Sequence, residues 1–198
     1  MNSREKALAI AGRSNGIITA SDAVSEGISG GSIKHLSDSG QIVRVSRGVY
    51  VAPGAVDDEF VNLQSRYRKG IFCGETALFL YDLTDRTPDR YFMTFPASYN
   101  VSGIKREGSI TCYRIAEPRY SSGINEAKTP GGNTVKAYCI ERTLCDILIP
   151  RRHVDIQVIS DAFKRYVGSG NCDLPLLTEY AKLLKVEKRL SAYMEVLI

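Results

Sequence analysis

The sequence predicts an α+β protein of two domains. Two observations carry this. Short helical segments and then a β-branched, glycine-containing stretch fill the first fifty-odd residues, and Pro53-Gly54-Ala55 breaks the chain just after them. Beyond the break, aromatic and alternating segments precede four helical ones. The expected domains are residues 1–55 and 56–198.

In the first domain, residues 3–11 read as a helix that Ser3 can cap, with Ala7, Leu8 and Ala11 sharing a side. Ile17-Ile18-Thr19 is a short β-branched piece. A second helix over 20–26 has Thr19 or Ser21 as cap and Gly27 as its end. Ser29 caps a third, in which Ile33 and Leu36 bury one side and Gly40 stops the run. The stretch from Gln41 to Val51 then reads as two strands joined at Ser46-Arg47-Gly48. Three helices and a hairpin, with a short glycine-containing turn before the third helix, describe a winged helix-turn-helix.

The larger mixed α/β domain is expected to hold a small sheet and C-terminal helices. Residues 57–69 and 74–83 read as helices, the second with Thr76 outward. Strands are expected at 91–95, 109–115 and 133–139, and helices at 140–148, 154–167, 174–184 and from 187 to the end.

Composition excludes several classes. With 43% hydrophobic and 24% charged residues the chain is globular in type. No stretch reaches the roughly 18 apolar residues that cross a bilayer, and the N-terminus does not read as a secretory signal. The five cysteines form no C-x-x-C pair, and neither His35 nor His153 sits near one, so reduced thiols in a cytoplasmic protein are expected and a metal site is not.

The net charge of +4 decides little, so the placement of charge matters. In a helix-turn-helix the third helix enters the major groove and its first residues meet base edges. The DNA-contacting candidates there are Ser29, Gly30, Ser32, Lys34 and His35. Arg44 and Arg47 on the hairpin would meet phosphate or the minor groove. No catalytic residue and no cofactor are expected: there is no phosphate-binding glycine loop, and two histidines give little for a nucleophile to work with. Two alternatives stand beside DNA binding. One is a protein–protein adaptor, which would show an apolar patch on the third helix; only polar residues are seen there. The other is a metal-dependent, nuclease-like C-terminal domain using Glu75, Asp82 or Asp85. Lys105-Arg106 and Arg151-Arg152 read as solvated surface, and Arg142 with Asp146 as an internal ion pair one helical turn apart.

Several segments together resemble a known family. They are Gly27-Ile28-Ser29, the wing from Arg44 to Tyr50, the run from Gly74 to Arg86, Thr94-Phe95-Pro96 with Tyr99-Asn100, Glu141-Arg142-Thr143-Leu144-Cys145-Asp146, and Glu179-Tyr180-Ala181-Lys182 with Val186. In order and spacing they resemble the AbiEi transcriptional regulators, antitoxins of type IV toxin–antitoxin systems linked to abortive phage infection. The resemblance implies a winged helix that represses its own operon by binding inverted repeats in double-stranded DNA, with two copies on the two-fold site. It implies a C-terminal antitoxin domain opposing a nucleotidyltransferase-like toxin without a stable complex. The chain departs from the pattern where Gly30-Gly31 follows Ser29 and where His35 replaces a common Arg or Lys, which shifts the expected base contacts to Lys34 and the wing.

Overall fold

The computed structural model describes residues 1–197, and the side chains of residues 1–195. The chain forms two compact units, Met1–Arg68 with Lys128–Val135, and Lys69–Ala127 with Lys136–Ile198. Pro53-Gly54-Ala55 set the expected boundary. The contacts instead divide the chain after Arg68 and add a distant segment to the first unit.

Helix α1 (Ser3–Arg13) starts one residue earlier than Ser3 capping would give. Asn2 is its cap: the Asn2 side chain accepts from Glu5 N at 2.9 Å, and Glu5 Oε2 accepts from Asn2 N at 2.9 Å. Strand β1 (Ile17–Thr19) leads into α2 (Ala20–Ser25), capped by Thr19, and α3 (Gly30–Asp38) follows, capped by Ser29. Strands β2 (Val43–Ser46) and β3 (Val49–Val51) complete a three-stranded antiparallel sheet of order β1-β3-β2. The helices close on this sheet through Ala7, Ile10, Ala11, Ile18, Ile33, Leu36 and Tyr50, a single apolar core. Helix α4 (Glu59–Arg66) belongs to the same unit and buries Phe60, Val61 and Leu63.

The second unit is built on a sheet of order β6-β5-β4-β8-β7. Its strands are β4 (Ile71–Phe72), β5 (Tyr91–Pro96), β6 (Ile110–Ile115), β7 (Ile124–Lys128) and β8 (Thr134–Tyr138). The segment counted with the first unit, Lys128–Val135, takes in the last residue of β7, the turn after it and the first two residues of β8. Between the strands lie α5 (Gly74–Leu80) and α6 (Ser102–Glu107). Helices α7 (Ile140–Ile147), α8 (Ile156–Gly168), α9 (Leu174–Leu184) and α10 (Glu187–Leu197) follow, and Leu78, Leu144, Leu148, Phe163, Leu177 and Leu190 join them in one core. The last residue of the expected C-terminal helix, Ile198, lies outside the described residues.

Two expectations for single residues are corrected. Thr76 is not outward but fully buried, because its Oγ1 accepts from Phe92 N at 2.8 Å and ties α5 to β5. Arg152 is not solvated surface: Asp146 accepts from it at 3.0 Å inside the unit, whereas its neighbour Arg151 is exposed as expected.

Candidate nucleic-acid interface

The first unit presents the third helix and the wing through local chemistry. Ser29 Oγ accepts from Ser32 N at 3.1 Å and hydrogen-bonds Ser32 Oγ at 2.9 Å. Both hydroxyls thus take part in holding the start of α3, and one O–H donor remains free of that pair. Ile33 and Leu36 face the core, which turns Lys34 and His35 to solvent. Gly30 and Gly31 are exposed, and a Cβ at Gly30 would meet nothing within 4 Å.

The wing is a two-residue connection, since Ser46 pairs with Val49 and leaves Arg47-Gly48 between them. Gly48 has a positive φ of 79°, which a side chain disfavours, and its carbonyl accepts from Ala20 N at 2.7 Å. The register shifts between Arg44 and Ser46, a bulge that bends β2 just before the tip. Arg47 is exposed at that tip. Arg44 is also exposed but lies across the bulge, its Nε donating to Ser46 O at 3.3 Å.

Among the described residues Lys34, His35 and Arg47 form no ion pair, and all three are exposed. Arg13, by contrast, is engaged by Glu26, and Lys6 donates to Glu26 O at 2.9 Å. The sequence places Lys34 and His35 on the third helix and Arg47 on the wing, and the structure leaves all three exposed. Sequence reasoning missed Asn62 on α4, whose Oδ1 accepts from Ser46 Oγ at 3.2 Å. Asn62 falls after Pro53-Gly54-Ala55, beyond the limit expected for the wing domain, and a lone asparagine in a helix carries no pattern.

The second unit holds a different cluster, and it is interior. Asp146 Oδ1 accepts from Arg142 Nη1 at 2.7 Å and Asp146 Oδ2 from Arg152 Nη2 at 3.0 Å. The expected Arg142–Asp146 pair is therefore present, with a second arginine added. The Arg152 guanidinium lies 3.5 Å from the Tyr113 ring centre, and that of Arg142 lies 4.5 Å from the Tyr138 ring centre. Burial opposes the charge on Arg152, but Asp146, Cys73 and Tyr113 override it and raise its pKa. Burial also pushes the Cys73 thiol up, against the pull of Arg152.

The carboxylates Glu75, Asp82 and Asp85 do not gather. Only Glu75 lies on α5; Asp82 follows the helix with a φ of 56°, and Asp85 is paired with Arg165. Among the described residues no group of three His, Cys, Asp or Glu side chains could hold a metal ion. All five cysteines are free thiols. No described helix is long and apolar enough to cross a membrane.

Three helices closed by a β1-β3-β2 sheet with an exposed basic tip define a winged helix-turn-helix module. Residues 5–53 match the model of a family described as transcriptional regulator, AbiEi antitoxin. Over most of its length the chain is similar in fold to a protein known from the crystal structure of RV2827C protein from Mycobacterium tuberculosis. That likeness has a TM-score of 0.54 and 16% sequence identity, and covers 91% of this chain and 71% of that one. No curated protein matches the chain significantly.

Proposed function

We propose that the chain is a DNA-binding antitoxin of a toxin–antitoxin system that represses its own operon through the winged helix. The observation that carries this is the exposure of Lys34, His35 and Arg47 on the two elements that such modules apply to DNA. The match of residues 5–53 to the AbiEi regulators supports it. In this reading Lys34 and His35 meet base edges or phosphate from α3, and Arg47, with Arg44 beside it, meets the backbone or minor groove. Ser29 and Ser32 shape the helix start, and contact DNA through the one O–H donor and the acceptor capacity that their mutual bond leaves. Two copies on an inverted repeat match the two-fold symmetry of such operators.

The finer assignments follow the family resemblance. The system is of type IV, the toxin is nucleotidyltransferase-like, and the region after the winged helix opposes it without a stable complex. Catalysis has no part in this reading.

The test is a titration of the full chain against the DNA just upstream of its gene, at two salt concentrations, beside a random duplex. Binding should be specific and weaken with salt by about 0.9 log units per log unit for each phosphate neutralised. Arg47→Ala should weaken operator binding several-fold and flatten that salt dependence by about one contact. Unchanged affinity of Arg47→Ala at moderate salt would remove the wing from the interface.

A further inference from the structure

The backbone of the wing tip is tied on the β3 side, where Gly48 O accepts from Ala20 N at 2.7 Å, and is irregular on the β2 side. Strand β2 is bulged between Arg44 and Ser46, and its last pair with β3, Ser46↔Val49, flanks the two-residue tip. The Ser46 side chain also reaches out of the hairpin, its Oγ donating to Asn62 Oδ1 at 3.2 Å. The Asn62 amide cannot turn away. Its Nδ2 donates to both oxygens of Asp57, at 2.9 and 3.0 Å, and a carboxylate only accepts, so the amide nitrogen must face Asp57 and the carbonyl must face Ser46. Asp57 is fixed in turn, because its Oδ1 accepts from Asp58 N at 2.8 Å.

The helix carrying Asn62 is anchored at its first turn. Asp58 Oδ1 accepts from Phe60 N at 3.0 Å and from Val61 N at 3.4 Å. Its other oxygen accepts from Asn133 Nδ2 at 2.8 Å and from Thr129 Oγ1. Asp58, Thr129 and Asn133 are all buried. Buried hydrogen bonds to a carboxylate are the strong kind, so α4 starts from a rigid point.

We infer that Asn62 is a positioning residue for DNA binding: gripped by Asp57 on the anchored helix α4, it holds Ser46 and so fixes the presentation of Arg47 at the wing tip. The inference rests on the DNA-binding reading above and extends it to a residue outside the segment 5–53 that matches the AbiEi regulators. The physical gain is pre-organisation, since a tip that is already ordered loses less freedom on meeting DNA.

The test uses the full chain. Asn62→Ala and Ser46→Ala should each weaken binding to the upstream DNA roughly 3–10-fold, the affinity equivalent of one net hydrogen bond. Ser46→Thr, which keeps the hydroxyl, should retain the wild-type affinity. In an Arg47→Ala background Asn62→Ala should add nothing, because it acts through that residue. A second readout needs no DNA: hydrogen exchange of the free chain should speed up at the amides of residues 46–49 in Asn62→Ala, with the melting temperature little changed. Wild-type affinity in Asn62→Ala, or an effect fully additive with Arg47→Ala, overturns the inference while leaving the DNA-binding reading in place. Unchanged amide protection overturns it without reference to DNA. Failure of the wild-type chain to prefer the upstream DNA sinks the reading itself and removes any DNA role for Asn62.

Discussion

Asp146 takes hydrogen bonds from Arg142 and Arg152 at once, and all three side chains are shielded from water. Two positive charges thus share one negative one, and the aromatic faces of Tyr113 and Tyr138 take up part of the excess. Asp146→Asn leaves both guanidiniums buried without a counter-charge and should cost the second unit about 3–5 kcal/mol in chemical denaturation. A loss well under 1 kcal/mol would mean that the arginines reach water by another route. A second residue-scale expectation concerns pH. Hydrogen bonding and attraction from Arg165 hold the Asp85 carboxyl below its ordinary value. A carboxylate lowered on folding contributes stability at pH above its unfolded value, and that contribution is lost as pH falls through the folded one. Both side chains face solvent, so the contribution is small. An NMR titration should place the Asp85 midpoint below the usual carboxylate range, and Arg165→Ala should return it there. At this scale the sequence revealed Arg142–Asp146, because four-residue spacing on a helix is a local fact. The burial of Arg152 was hidden because its partner lies on the preceding helix, across the Pro150–Arg152 turn, and Arg151-Arg152 looks like any surface pair.

Between α1 and β1 the chain turns at Gly16, with a φ of 87°, and a Cβ there would lie 2.2 Å from Ala55 Cβ. The turn is doubly fastened, by Gly16 N donating to Ala11 O at 2.8 Å and Ala52 N donating to Gly16 O at 2.7 Å. Gly16→Ala should therefore lose at least the ~1–2 kcal/mol that a left-handed backbone costs a side chain, plus the shift forced on Ala55. A thermal melt with no drop would show that the turn rearranges freely. At the scale of elements, the amphipathic helices were the most legible. Helix α9 runs over the residues its pattern gave, and α3 starts at the cap expected of Ser29. Strands β4 and β7 were not legible. The first has only Ile71 and Phe72, too few for a period, and takes its strand form from pairing with β5 and β8. The second is Ile-Asn-Glu-Ala-Lys, largely exposed, and reads as loop until its neighbour β8 is known.

At the scale of the whole molecule, the first unit is discontinuous in sequence, because Lys128–Val135 completes it. A chain cut after Arg68 keeps the three helices and the wing but leaves Asp58 without Thr129 and Asn133. It should melt below the corresponding transition of the full chain, and Asp58→Asn in the full chain should move in the same direction. Equal melting temperatures would show that the distant segment adds nothing. No local pattern announces such a contact, since Asp58 and Asn133 stand 75 positions apart. The order of synthesis gives this arrangement a temporal consequence. A ribosome that has made Arg68 must add the 59 intervening residues before the missing piece begins to emerge, roughly 3–12 s at the usual rates of elongation. A nascent or prematurely ended chain that lacks Lys128–Val135 therefore carries an unfinished first unit, and the proposed DNA-binding role would wait for that segment.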